Sequence, residues 1–343
     1  MLDDLKLIHE RDAQDALGIA EKQYQQLTHE FELDLSPPSE GIHNIVFGGM
    51  GGSALCAYIA ESWPGFNVPF EICRNYDIPA YVDEHTVFFA SSYSGNTEET
   101  LTALEQAEAR GAGVIVIAGG GKLAEIAQEK GYPLLILPKV AQPRFAAFYG
   151  LKAILTATDA LGVTSGKVAE LTAKADFLQQ AVADWLPPVP TDKNLAKQVA
   201  LEAIGKSVVV YAGPKLAPAG YKWKISFNEN AKQVAWYGLY PEFNHNEFIG
   251  WSKQPTEKPY AVIDLRSSLE HPRIQKRFEV SERLLSGLRP SPIVIETQGS
   301  DLLEELLWAI ALGDFVSLYT GILNGLNPTP VELVEKFKVA LTE

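Results

Sequence analysis

Residues 91–100 read Ser-Ser-Tyr-Ser-Gly-Asn-Thr-Glu-Glu-Thr, and this crowd of hydroxyls around one glycine points to anion chemistry. Ser92, Ser94 and Thr97 each carry a donor able to reach a phosphate oxygen. The apolar run at 86–90 suits a buried strand, and 101–110, apolar or Ala at Leu101, Leu104, Ala107 and Ala109, suits a helix. A turn between the two would present free backbone N–H groups at the positive end of a helix dipole. Capping of a surface helix accounts for one or two hydroxyls. It does not account for Ser91, Ser92, Ser94 and Thr97 together, so a phosphate site is expected here.

A second loop, Gly49-Met50-Gly51-Gly52-Ser53-Ala54, satisfies the loose G-x-G-x-x-A dinucleotide fingerprint between a strand and a helix, with Glu71 17 residues beyond Ala54. On this loop alone a dinucleotide and a glycine-dependent tight turn are both open. The hydroxyl loop shifts the balance, because a dehydrogenase has no need of a Ser/Thr cradle after its third strand. Two such loops at the carboxyl ends of nearby parallel strands fit a crevice in which one holds phosphate and the other keeps a sugar close to main chain.

Three more residues could do chemistry. Glu229, within Phe227-Asn228-Glu229-Asn230-Ala231 and between Ile225 and Val234, is an acid in a partly buried context. His245 lies among carboxylates and aromatic residues at 241–248, and imidazole is a side chain suited to proton transfer to a ring oxygen. Arg144, between Pro143 and Phe145 just after the fourth or fifth strand, is a cation suited to hold an anion. Lys222 and Lys224 flank Trp223 on a helix and read as solvated stems.

The elements needed to position these residues alternate strand and helix along 343 residues, which implies doubly wound, mainly parallel sheets flanked by helices. Leading helices at 5–32 end at Ser36-Pro37-Pro38, and Leu186-Pro187-Pro188-Val189-Pro190 divides the chain. The expected domains are 1–186, with both loops, and 187–343. The second half repeats the alternation, but Gly213-Pro214-Lys215-Leu216 stands where the first half has its glycine loop, so anion binding is expected to be lost there. A net charge of −14 argues against nucleic acid as a partner. Two cysteines, six histidines and no ligand spacing imply no metal and a reducing, cytoplasmic setting. Residues 1–10 do not read as a signal peptide, and 306–323 reads as a buried core helix, with no membrane partner.

Gly-Gly-Ser after the first strand, with Ser-Tyr-Ser-Gly-Asn-Thr-Glu-Glu-Thr after the third, resembles a sugar isomerase (SIS) domain. Asn228-Glu229-Asn230, His245-Asn246-Glu247 and Gln142-Pro143-Arg144 narrow the resemblance to the bifunctional phosphoglucose/phosphomannose isomerases, over about 42–341. The resemblance implies two SIS domains and places phosphate contacts on Ser92, Ser94 and Thr97, with Gly51, Gly52 and Ser53 along the sugar. It implies Glu229 as the base between C1 and C2, Arg144 against the enediolate, and His245 in ring opening from the second subunit of a homodimer. Thr329 would tolerate mannose 6-phosphate, and Lys336 would assist ring opening. Lys338 is a rival about 200° away on the helix. The implied reaction takes a sugar phosphate and uses no cofactor, since an acid–base enediolate path needs none. A catalytically silent sugar-phosphate sensor and an NAD-dependent oxidoreductase are the competing readings.

Overall fold

A computed structural model describes residues 1–33, 35, 41–253 and 259–341; the break read at Ser36-Pro37-Pro38 lies outside them. The chain divides into two compact units, one of Lys22–Gln179 with Leu302–Glu304, the other of Met1–Glu21, Gln180–Asp301 and Glu305–Glu343.

In the first unit the elements are β1 (Asn44–Gly48), α1 (Gly51–Ser62), β2 (Phe70–Cys73), β3 (Thr86–Ser92), α2 (Glu98–Ala109), β4 (Gly113–Ala118), α3 (Gly121–Lys130), β5 (Leu134–Ile136) and α4 (Ala147–Ala160). The five strands pair in the order β2-β1-β3-β4-β5, all parallel. Central strand β3 is buried at all seven positions, which is why residues 87–90 run apolar without alternation. Val46, Phe88, Ala90, Val116 and Ala118 form one core with Ala103, Leu104 and Ala107 of α2. Both candidate loops therefore leave the carboxyl edge of the sheet from two adjacent inner strands.

The second unit repeats the plan with β6 (Ser207–Ala212), α5 (Ala217–Asn230), β7 (Ala235–Leu239), α6 (Glu247–Trp251), β8 (Tyr260–Arg266), α7 (Pro272–Leu284), β9 (Ile293–Glu296), α8 (Leu302–Leu323) and α9 (Glu332–Ala340). Its parallel sheet has the order β7-β6-β8-β9. The first strand of each unit thus lies between the second and third. This is the doubly wound α/β architecture expected from the alternation.

Helix α8 is apolar enough to span a membrane by length and composition, with a mean hydropathy of 1.7, yet 94% of that stretch is buried within the protein. It is a core helix. Its burial overturns one expectation, because Lys222 is not a solvated stem. Lys222 is fully buried and pairs with Asp314 of α8, which also accepts a hydrogen bond from Ser226 at 3.0 Å. A buried ammonium persists only when paired and hydrogen-bonded, and its partner lies far along the chain. The helix read at 167–185 is interrupted, forming Lys167–Thr172 and Ala175–Ala183.

Candidate functional site

The hydroxyl loop of the first unit is tied into a compact knot. Ser92, buried at the end of β3, lies 2.7 Å from Thr97 Oγ1 and 3.4 Å from Ser94 Oγ. Ser92 Oγ also accepts the Gly95 N–H at 3.1 Å. Thr97 is the N-cap of α2 but makes no side-chain cap bond. The hydroxyls are therefore not consumed by helix capping. Ser94 is exposed and Thr97 half-buried, with Ser92 buried behind them, and Ser94 Oγ also accepts the Asn96 N–H at 3.3 Å.

This knot stands against two glycine loops. A Cβ on Gly95 (φ +70°) would lie 1.8 Å from Gly120 O, and one on Gly121 would lie 2.3 Å from Ser94 O. Asn96 bridges the same contact: its Nδ2 donates to Ser94 O at 3.1 Å and its Oδ1 accepts the Lys122 N–H at 3.1 Å. On the other side the Tyr93 N–H donates to Ser53 Oγ at 3.1 Å, joining the hydroxyl loop to the start of α1. That start is bare main chain: Met50 offers no side-chain cap and Gly51 has φ +51° with open space around its Cβ position. Unsatisfied N–H groups and the helix dipole make such an end favourable to anions.

Arg144 lies beside the start of α1. It sits in the one-turn helix Pro143–Phe145, 1% exposed, its guanidinium carbon 4.9 Å from the Phe145 ring centroid. A Cβ on Gly52 would lie 2.9 Å from Arg144 N, so glycine there lets the two segments touch. Gly51, Gly52, Ser53, Ser92, Ser94, Thr97 and Arg144 are thus gathered in one place. Cys56 lies one turn along α1, its Sγ 3.1 Å from Ser53 O, and burial pushes the thiol up to about 12. It is no nucleophile at neutral pH.

The remaining candidates occupy the second unit. Glu229 is half-buried in the last turn of α5. Lys232, just beyond, donates to Asn327 O at 3.1 Å and Pro328 O at 2.7 Å, which brings buried Thr329 close to that helix end. His245 stands apart, exposed in the turn Glu242–His245 after β7, and Asn244 ties that turn to Ser281 of α7 at 2.9 Å. Helix α5 runs back against the strands, so Glu229 ends at the amino edge of β7 and His245 follows its carboxyl edge. Five strand residues separate the two ends, roughly 16 Å at the usual rise. Lys336 is exposed on α9, a helix with no buried residue, and Lys338 pairs with Glu335 at 2.8 Å.

Residues 42–164 match the SIS domain family, and residues 192–341 match the family described as the bacterial phospho-glucose isomerase C-terminal SIS domain. The chain is 32% identical over 311 residues to the bifunctional phosphoglucose/phosphomannose isomerase of Aquifex aeolicus, covering 90% of this chain and 92% of the relative. The chain belongs to the bifunctional phosphoglucose/phosphomannose isomerase family. It is also 33% identical over 236 residues to D-glucosamine-6-phosphate 4-epimerase of Sulfolobus acidocaldarius, covering 67% of this chain and 72% of that one. The crystal structure of a glucose-6-phosphate isomerase like protein from Thermus thermophilus shares the fold, with a TM-score of 0.64 at 15% identity over 97% of this chain and 99% of that one.

In this member of the family the two equivalent strand ends have diverged. Where the first unit has an open loop after its first strand, the second unit has Gly213-Pro214-Lys215-Leu216, filled by Glu270. That carboxylate accepts the Lys215 N–H at 2.7 Å, and a Cβ on Gly213 would lie 2.3 Å from Glu270 Oε1. Burial pushes the Glu270 carboxyl up, partly offset by the backbone N–H donors. The sequence expectation that this loop had lost its anion chemistry therefore has a physical cause, an internal carboxylate on the main-chain donors. Glu270 was not singled out from the sequence, nor were Asn96 and Tyr93 as supports of the hydroxyl loop. None of the three stands in a spacing that reveals its partner.

Proposed function

We propose that this chain is an aldose–ketose isomerase that interconverts glucose 6-phosphate, and mannose 6-phosphate, with fructose 6-phosphate, without a cofactor. The observation that carries it is the group of Ser92, Ser94 and Thr97 hydroxyls, not spent on capping α2 and joined through Ser53 to the bare start of α1. That arrangement suits a phosphate at the hydroxyls and a sugar along Gly51 and Gly52.

The chemistry then falls to four residues. Glu229 removes the proton from C2 of the open-chain aldose, and C1=O becomes the enediolate oxygen. After a proton passes from O2 to O1, the acid returns its proton to C1 and C2 becomes the carbonyl of the ketose. Arg144 holds the developing oxyanion charge, which an aligned cation in a dry site stabilises strongly. His245 and Lys336 exchange protons with the ring oxygen during opening.

Supporting a homodimer in which His245 comes from the second copy is its place at the edge of β7 away from Glu229. A single chain gives the pair no short approach within the second unit. Thr329, buried beside the end of α5, is the residue we assign to tolerance of the C2 epimer. Two free buried thiols fit a cytoplasmic protein.

The test is a coupled assay of purified protein with both aldose phosphates, alongside Glu229→Gln. The variant should keep its thermal stabilisation by fructose 6-phosphate and lose nearly all turnover. A variant with kcat near that of the parent removes Glu229 as the base. Stabilisation by fructose 6-phosphate with no turnover in the parent protein favours the sensor reading.

A further inference from the structure

Glu229 sits in the middle of Asn228-Glu229-Asn230, and the structure gives each flanking amide an anchor outside the last turn. Asn228 Nδ2 donates to Lys224 O, one turn back, at 2.8 Å, and to Ala235 O, the first residue of β7, at 3.0 Å. Asn230, fully buried, donates through Nδ2 to Ser317 Oγ of α8 at 2.9 Å. Ser317 Oγ donates in turn to Asp314 O at 2.9 Å. Successive helical residues are about 100° apart, so the two amides leave the last turn of α5 about 200° apart with Glu229 midway.

The rest of the α5–α8 contact fixes slide as well as rotation. Lys222, Ser226 and Asn230 recur every fourth residue and are all fully buried. Lys222 and Ser226 meet Asp314, and Trp223 Nε1 donates to Ala309 O at 2.7 Å. Gly313 and Gly321 let the helices close, since a Cβ would lie 2.4 Å from the Trp223 ring and 2.6 Å from Asn230 O. A buried ion pair or amide is weak as a source of stability, because apolar residues of similar volume often do as well. What such a ladder supplies is a single register. Helix ends fray unless held, and here the held end is the turn that carries the carboxylate.

We propose that Asn228, Asn230 and Ser317 are positioning residues that fix the Glu229 carboxylate for proton transfer. The inference rests on the reading of Glu229 as the base. None of the three needs to touch substrate. Their effect is on kcat, because a misplacement of about 1 Å can cost about 100-fold in rate.

Kinetics of Ser317→Ala, Asn230→Ala, their double variant and Asn228→Ala, with Glu229→Gln in parallel, test this. Ser317→Ala removes one oxygen from a distant helix and is the variant least able to disturb folding. We expect kcat to fall about 10- to 100-fold in Ser317→Ala and Asn230→Ala, with KM for fructose 6-phosphate within about twofold and the acid limb of the kcat–pH profile moved. The double variant should be no slower than Asn230→Ala, because one hydrogen bond is being removed twice. Parent kcat and an unmoved pH profile in folded Ser317→Ala and Asn230→Ala, beside an inactive Glu229→Gln, overturn the positioning role and leave the base intact. A rise in KM with kcat unchanged also overturns it. An active Glu229→Gln overturns the base and the positioning role together.

Discussion

Gly95→Ala places a methyl group where the hydroxyl loop touches its neighbour. The added Cβ would lie 1.8 Å from Gly120 O, against the 3.0 Å below which real Cβ contacts are essentially never found. Main chain on one side or the other must therefore move by at least 3.0 − 1.8 = 1.2 Å. Gly95 also has φ +70°, which costs an L-residue about 1–2 kcal/mol. Forcing an extra carbon into packed structure costs about 1–3 kcal/mol more. The sum, about 2–5 kcal/mol, corresponds to a fall in Tm of about 4–20 °C. The Gly95 N–H is bonded to Ser92 Oγ, so the displacement passes to the Ser92, Ser94 and Thr97 hydroxyls. Losing one hydrogen bond to a dianion removes about 1.5–3 kcal/mol, or about 10- to 150-fold in KM for fructose 6-phosphate. Gly131→Ala is the control, since Gly131 has φ +69° and open space at its Cβ position. Melting curves and the coupled assay on both variants separate the effects: Gly131→Ala should lower Tm with KM unchanged. If Gly95→Ala keeps the parent KM and loses no more Tm than Gly131→Ala, the loop contact does not support the phosphate site.

Thr329→Gln should reduce turnover of mannose 6-phosphate by about tenfold or more relative to glucose 6-phosphate, since an extended amide enters a buried position beside the end of α5. Equal losses on both sugars refute the assignment. Glu270→Gln tests the carboxylate that fills the second unit's loop. Burial raises the folded-state pKa of Glu270 above its ordinary 4.5, so the folded form favours the proton. Its contribution is fully present below that value and is lost as pH rises through the raised pKa. The Tm of Glu270→Gln relative to the parent should therefore increase from about pH 4.5 upward, read as Tm against pH for both proteins. A difference that shrinks over that range contradicts the burial of a charged Glu270.

Much of the first unit was legible because its signals are local. Ser91 to Thr97 span one turn, Gly49 to Ala54 another, and each lies between a buried strand and a helix whose apolar spacing is visible in the same window. The parallel, doubly wound arrangement followed from the alternation of such segments. The expected helix at 167–185 failed at residues 173 and 174, since propensity alone does not reveal where packing turns a chain.

The sequence by itself determined the two loops, the α/β alternation and the residue types able to perform acid–base chemistry, because each depends on neighbours within one strand–turn–helix. Tertiary structure alone decided the state of Lys222, whose partner Asp314 stands on another helix, and of the Gly213 loop, closed by Glu270 from beyond β8. It also decided how Glu229 and His245 stand. They are 16 residues apart in the chain, yet α5 descends beside the sheet and β7 climbs back, so they end at opposite edges. Sequence distance counts residues. Which edge a residue reaches depends on the direction in which each element crosses the sheet.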